Sequence, residues 1–255
     1  MRIAIAQVRG QIDDPPANAS KAKMILNNTD VDLLIFPEMF ATGYDMNCGK
    51  FLNNMDALFM TKLNTQILKK KCSALFGCPV SEGNKIYNCA MLSDGENVQI
   101  YKKIHLGTDG RFPEKDVFTA GDEPTIFKCN GLRFGIATGN DIMFNELFRW
   151  YAANDVDAVI CISAAPGDVL DRYEKILPSR CVENSLELIF VNMVGPDPGI
   201  TMAGGSMYIS FYGEVDANCT DSSDVRIVKL DTERMKRSKE NRQFLKEIRT
   251  DIKWA

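Results

Sequence analysis

The sequence predicts an α/β protein in which helices cover two mixed β-sheets. Short apolar segments rich in Ile and Val alternate with amphipathic segments in both halves of the chain. Strand-like segments are also joined by tight polar turns such as "DGEN" (94–97), which indicate antiparallel hairpins. Alternation alone would favour one parallel sheet, whereas alternation with hairpins favours two mixed sheets. No linker or internal repeat interrupts the 255 residues, so we predict a single domain over residues 1–255.

The first half contains two predicted helices among several strands. The segments predicted as strands are "RIAIAQV" (2–8), "VDLLIFPEMF" (31–40), "ALFGCPVSEG" (74–83), "KIYNCAMLSD" (85–94) and "NVQIYKKIHL" (97–106). The predicted helices are "PANASKAKMILNNTD" (16–30) and "NNMDALFMTKLNTQILKKKC" (53–72), where apolar residues recur at helical spacing. The last two strands flank the "DGEN" turn, which predicts that they pair antiparallel.

The second half repeats the alternation and ends in a charged helix. Its predicted strands are "LRFGIAT" (132–138), "DAVICISA" (157–164), "LELIFVNMVG" (186–195), "GGSMYISFYGEV" (204–215) and "SDVRIVKLD" (223–231). Its predicted helices are "NELFRWYAAN" (145–154), "LDRYEKILPSRCVEN" (170–184) and "ERMKRSKENRQFLKEIR" (233–249).

Composition and charge exclude several classes of protein. A net charge of -4 and a pI near 5.2 argue against nucleic-acid or anionic-membrane partners, since neither polyanion would be attracted. No segment is apolar enough to span a bilayer, and "MRIAIAQVRG" lacks the features of a signal peptide, so we predict a cytoplasmic protein. The eight cysteines include no C-x-x-C pair, and the chain has one histidine. We therefore predict reduced, mostly buried thiols and no metal site.

Three charged residues occur at unusual places in the sequence. Glu38 follows the apolar run "LLIFP" and precedes "MF", where a buried carboxylate would be costly without a partner. It can equally mark the point where the strand reaches solvent. Lys102 and Lys103 alternate along a strand, so one of them should face inward. Glu114 follows in a loop. Each charge alone is typical of a solvated surface, but together they are consistent with a Glu–Lys–Glu cluster that has shifted pKa values.

Six sequence blocks occur in a fixed order along nearly the whole chain. They are "IAIAQV", "LLIFPEMFATGY", "YKKIHL" with its following Glu, "SRCVEN", "NMVG" and "GGSMYI". In this order they resemble signatures of the nitrilase superfamily, the carbon-nitrogen hydrolases. The resemblance implies a four-layer αββα sandwich of two mixed β-sheets flanked by helices. It also implies chemistry without a metal or organic cofactor.

The resemblance assigns roles to the charged residues. Members of the superfamily hydrolyse or condense at carbon-nitrogen bonds of amides, carbamoyl compounds or nitriles. They use a cysteine thiolate as nucleophile, a carboxylate as base and a fixed cation for the oxyanion. By motif match, Glu38 takes the general-base position and Lys103 the oxyanion-stabilising position. Glu114 takes the position of the second glutamate, which helps hold the lysine, although the loop from His105 to Glu114 is a few residues longer than usual.

The expected nucleophile is missing from its block. The family segment that carries the cysteine aligns without gaps with "GIATGNDIMFNEL" (135–147), and the cysteine position is Gly139. Asn140, Met143 and Asn145 also depart from the family pattern. An engineered knockout would usually carry Ala or Ser and would leave the other three changes unexplained. Natural divergence accounts for all four, so we interpret the block as a naturally altered site.

Two functions follow from these residues. The first is a non-hydrolytic homologue that binds a small amide-, amine- or carboxylate-containing ligand or serves in assembly. The second is a hydrolase with altered chemistry, in which Glu38 activates a water directly or another cysteine, such as Cys161, replaces the nucleophile. The resemblance also implies a homodimer or higher homo-oligomer, formed through the helices after Gly139 and after Pro166.

Overall fold

The structure of the protein, a computed structural model, describes residues 1–45, 52–107, 113–197, 199–249 and 251. The strands within these ranges are β1 (Arg2–Gln7), β2 (Leu33–Ile35), β3 (Ser73–Glu82), β4 (Lys85–Ser93), β5 (Val98–Lys102), β6 (Ile126–Cys129), β7 (Leu132–Thr138), β8 (Ala158–Ser163), β9 (Glu187–Asn192), β10 (Val194–Asp197), β11 (Ile200–Ala203), β12 (Met207–Ile209), β13 (Val215–Asn218) and β14 (Asp224–Lys229). The helices are α1 (Pro15–Asn28), α2 (Thr61–Lys70), α3 (Glu114–Val117), α4 (Asn145–Ala153), α5 (Gly167–Asn184) and α6 (Thr232–Glu240). A short π-helix (Asp56–Met60) precedes α2, and short 3-10 helices follow β7 (Gly139–Met143) and α6 (Asn241–Glu247). None of these helices is long and apolar enough to cross a membrane.

Two mixed sheets form the centre of the molecule, as predicted. The first sheet has the order β14-β1-β2-β3-β4-β5, and the second has the order β13-β12-β9-β8-β7-β6. Strands β1, β2 and β3 run parallel, as do β7, β8 and β9, while the outer pairs of both sheets are antiparallel. The parallel strands of each sheet end at one edge, and the polar side chains that follow them lie there.

The four layers are visible in the buried side chains. Alternate residues of a strand face opposite sides, so Ile3 and Ile5 pack between the sheets while Ala4 packs under α1. From the second sheet, Ile160 joins the inter-sheet core, and Cys161 packs against α4 and α5. The order of layers is helices, sheet, sheet, helices. This arrangement confirms the αββα sandwich.

Most elements match the sequence prediction, with three informative differences. Strands β4 and β5 pair antiparallel, which confirms the "DGEN" hairpin. Strand β5 ends at Lys102 instead of continuing to Leu106, because the carbonyl of Lys103 accepts from Gly121 N–H at 2.8 Å instead of bonding within the sheet. The strand predicted over 186–195 breaks at Met193, and the hairpin of β10 and β11, absent from the prediction, follows. The closing helix changes to a 3-10 helix after Glu240.

Candidate functional site

Glu38 lies in a tight turn directly after β2. The turn is held against β3, where Phe36 N–H donates to Leu75 O at 2.8 Å and Gly77 N–H donates to Pro37 O at 3.0 Å. A Cβ atom on Gly77 would lie 2.6 Å from Glu38 Cα, so only glycine lets the two backbones approach this closely. The side chain of Glu38 is 2% exposed, which excludes the interpretation that Glu38 marks the point where the strand reaches solvent.

The two adjacent lysines point to opposite sides, as the strand alternation predicts. Lys102 extends to the surface and pairs with Glu82 at 2.6 Å, whereas Lys103 is 3% exposed. Lys103 Nζ donates to the Glu38 and Glu114 carboxylates at 2.8 Å each. Glu114, on the first turn of α3, is 1% exposed. The structure therefore brings Glu38, Lys103 and Glu114 into one buried ion cluster.

Neutral donors complete the cluster. Asn88 on β4 donates from Nδ2 to Glu38 at 2.8 Å and to Glu114 at 3.0 Å. Tyr44 Oη donates to Glu114 at 3.0 Å, and Gly107 N–H donates to its other oxygen at 2.5 Å. Ala164 N–H donates to Glu38 at 3.2 Å. The roles of Asn88 and Tyr44 were missed from the sequence, although an Asn inside the apolar run "KIYNCAMLSD" is the kind of signal that marks a buried polar contact.

The cluster separates the pKa values of its two carboxyl groups. Burial raises the pKa of Glu38 above its ordinary value, against the opposing effect of Lys103. Burial also acts to raise the pKa of Glu114, but Lys103 and the Gly107 N–H outweigh it and bring that pKa below its ordinary value. For Lys103, burial is outweighed by the two carboxylates, which raise its pKa and keep it charged. Glu38 is thus the member of the cluster that is better able to exchange a proton.

Gly139 lies at the turn between β7 and α4, facing this cluster. The turn is held by Asp141, whose carboxylate accepts from Thr138 N–H at 3.0 Å, Tyr101 Oη at 2.7 Å and His105 N–H at 2.8 Å. Gly139 has φ +50°, a conformation that side-chain-bearing residues rarely adopt. A Cβ atom added there would lie 2.7 Å from Glu38 Oε2 and 2.8 Å from Lys103 Nζ.

A cavity of about 90 Å³ opens beside Gly139. It is lined by the ion cluster, by Asn140 and Met143 of the turn, by the segment Ser163–Pro166 and by α5 residues that include Arg172 and Tyr173. Met143 borders the space without filling it. Since a cavity of about 15 Å³ is enough for a single water, this cavity has room for a small organic molecule.

The described cysteines lie away from this cavity. Cys72, Cys78, Cys89, Cys129, Cys161, Cys181 and Cys219 are all free and buried, and none of these seven lines the cavity. Cys48 lies outside the described residues, as do residues 108–112 of the long loop before Glu114. Burial raises the pKa of the Cys161 thiol, which disfavours the reactive thiolate. The described residues contain no cluster of His, Cys, Asp and Glu suited to a metal ion.

The fold and these residues define a known class of protein. The family model described as carbon-nitrogen hydrolase matches residues 2–240, so the chain belongs to the carbon-nitrogen hydrolase family. This confirms the resemblance to the nitrilase superfamily.

Among its relatives is the (R)-stereoselective amidase of a Pseudomonas species, 26% identical across 98% of this chain and 92% of that protein. A variant of the amidase from Nesterenkonia sp. AN1 superposes with a TM-score of 0.83 at 24% identity, covering 92% of each chain. That amidase carries the acetamide moiety of fluoroacetamide covalently at its active-site cysteine. The protein XC1258 from Xanthomonas campestris, a CN-hydrolase superfamily protein with an arsenic adduct in its active site, gives a TM-score of 0.87 at 20% identity, covering 100% of this chain and 99% of that one.

Proposed function

We propose that this chain is a non-hydrolytic member of its family that binds a small amide-, amine- or carboxylate-containing ligand beside Gly139. The observation that carries the proposal is the position of Gly139, which borders a cavity together with Glu38 and Lys103 but offers no sulfur. We assign Gly139 to the position of the family's nucleophilic cysteine. Without a thiolate at this position, no thioester can form through the usual route.

The ion cluster offers the two hydrogen-bonding groups that an amide requires. A primary amide presents an N–H donor and a carbonyl acceptor that are bonded to the same carbon. Glu38 supplies an acceptor at the cavity wall, and Lys103 Nζ, 2.8 Å from it, supplies a donor. Retention of this pair also favours a ligand, because buried charges without use cost stability.

Incubation of the full chain with small amides and nitriles tests the proposal. We expect ligand-dependent protection against thermal unfolding, no acyl adduct by mass spectrometry and no turnover, because no described thiol borders the cavity. A trapped adduct on any cysteine would refute the non-hydrolytic role.

A second candidate function is hydrolysis by direct attack of water. It is favoured by Glu38, whose raised pKa and place at the cavity wall suit a general base, with Lys103 stabilising the oxyanion. Turnover without an adduct, abolished by Glu38→Gln, would select this function over simple binding.

We also propose that the chain forms a homodimer through α4 and α5. Two further parts of the proposal are that residues 1–255 form a single domain and that the protein is cytoplasmic. Apolar side chains are exposed on α4 and α5, with Trp150 at 38% and Val182 at 56%. We expect light scattering to report a dimer and Val182→Glu to shift it toward monomer, since the change places a charge in an apolar contact. The control Leu68→Glu, on α2 in the opposite outer layer, should leave the dimer intact. A monomeric wild type would contradict this part of the proposal.

A further inference from the structure

Two buried residues of the cavity wall carry hydroxyl groups that have no hydrogen-bond partner among the described residues. Ser163, at the end of β8, is 1% exposed, and Tyr173, on α5, is 4% exposed. Both residues line the cavity beside Gly139. Neither side-chain hydroxyl forms a hydrogen bond with any other part of the chain that the structure describes. Neither hydroxyl oxygen is among the buried polar atoms without a partner, so both are accessible from the cavity and free to bond a polar atom of a ligand or a water that the ligand displaces.

Packing holds both residues in place. The Tyr173 ring contacts Phe190 edge-on, with ring centroids 6.2 Å apart. Ser163 pairs with Asn192 of β9, and its carbonyl accepts from Met193 N–H at 3.0 Å. Burial raises the pKa of Tyr173, so its hydroxyl keeps its proton and can donate. A site on rigid elements with fixed donors selects ligands by geometry.

Apolar side chains also line this part of the cavity. They are Met143, Ala165, Pro166 and Val169, and the polar side chains of Asn140 and Arg172 border the same space. A hydrocarbon group placed here would cover both hydroxyls without a hydrogen bond, whereas a polar group of the same size would satisfy them. Sites of this kind discriminate strongly against ligands that lack the polar group.

We infer that Ser163 and Tyr173 form a polar subsite that recognises a hydroxyl or carbonyl group on the acyl part of a small amide. This inference rests on the proposed function, in which Glu38 and Lys103 bind the amide group itself. The ligand class is therefore a small amide with a polar acyl group, such as a hydroxy- or oxo-acyl amide, rather than a hydrocarbon amide.

Lactamide and isobutyramide test the subsite, because isobutyramide has a methyl group where lactamide has a hydroxyl. In titrations of the full chain, we expect lactamide to bind about tenfold more tightly, as one or two neutral hydrogen bonds predict. Tyr173→Phe and Ser163→Ala should each weaken lactamide binding severalfold and leave isobutyramide binding unchanged. Isobutyramide binding to the variants thus serves as the control for an intact cavity.

The outcomes separate this inference from the proposed function. Equal binding of the two amides by the wild type would overturn the subsite but leave amide binding in place. An equal loss of affinity for both amides in Tyr173→Phe would indicate that Tyr173 has a structural role and would also overturn the subsite. Failure of the wild type to bind either amide would overturn the proposed function, and the subsite with it.

Discussion

Replacement of Lys103 by methionine is expected to lower the free energy of unfolding by about 3–5 kcal/mol near neutral pH, because it removes the partner of a buried charge. Lys103 is the shared partner of Glu38 and Glu114, both at 2.8 Å. The remaining donors to the two carboxylates are all neutral: the side chains of Asn88 and Tyr44 and the backbone N–H groups of Gly107 and Ala164. Denaturant unfolding followed by circular dichroism measures the change.

Low pH should restore much of the lost stability in this variant. Without the cation, burial and mutual repulsion raise both glutamate pKa values, so the folded state binds more protons than the unfolded state above the ordinary glutamate pKa of about 4.3. Stability of the variant therefore increases as the pH falls toward that value. In the wild type, Lys103 holds the pKa of Glu114 below its ordinary value. The stability that Glu114 contributes to the wild type is fully present above the glutamate pKa of the unfolded state. It is lost as the pH falls through the pKa of Glu114 in the folded state. The difference in free energy of unfolding between the wild type and Lys103→Met should therefore narrow on acidification.

The neighbouring lysine provides the control. Lys102 pairs with Glu82 at the surface, where both side chains are partly exposed. Lys102→Met should change the free energy of unfolding by less than about 1 kcal/mol, as is usual for exposed ion pairs. If the two variants lost equal stability, or if the loss in Lys103→Met did not depend on pH, the buried ion cluster would not be the cause.

The cluster shows which features of the site can be predicted from sequence. Strand alternation separated Lys102 from Lys103, and the apolar residues around Glu38 indicated burial. Both features are local, since they depend on the two-residue period of a strand and on the cost of burying a carboxylate. The contact of Glu38 with Ala164 joins residues from different sheets. It follows from sheet packing, which local periodicity does not report.

Other features depend on the same long-range packing. Tyr173 lines the cavity because α5 packs on the outer face of the second sheet, where the Tyr173 ring contacts Phe190 of β9. In the sequence, Tyr173 is only an aromatic residue on a predicted helix. The hairpin of β10 and β11 was missed because its strands are four residues each and because Gly195, with φ +104°, lies inside the first of them. Short strands with glycine turns are hard to distinguish from loops in a sequence.

Substitution of Gly139 by cysteine is expected to create a reactive thiol within the ion cluster. An ideal Cβ atom at this position would lie 2.8 Å from Lys103 Nζ and 2.7 Å from Glu38 Oε2, closer than van der Waals contact, so the ends of these two side chains must shift to admit it. A neighbouring cation lowers the pKa of a thiol, and Glu38 can accept its proton. We expect the thiolate at residue 139 of the variant to displace fluoride from fluoroacetamide and so retain the acetamide moiety on its sulfur, which peptide mass spectrometry detects. The wild type should show no modification at this residue.

The alanine variant distinguishes the effect of the new sulfur atom on reactivity from the effect of the new Cβ atom on stability. Gly139 has φ +50°, and a Cβ atom there also displaces Glu38 and Lys103. Gly139→Ala and Gly139→Cys should therefore each lose at least the roughly 1–3 kcal/mol of stability that this backbone conformation usually costs a residue with a side chain. Only the cysteine variant should be alkylated at residue 139. A folded cysteine variant that resists fluoroacetamide as the alanine variant does would contradict our assignment of Gly139 to the nucleophile position. Alkylation would show that Glu38 and Lys103 can still activate a thiol. The absence of covalent chemistry in the wild type would then be due to residue 139 alone.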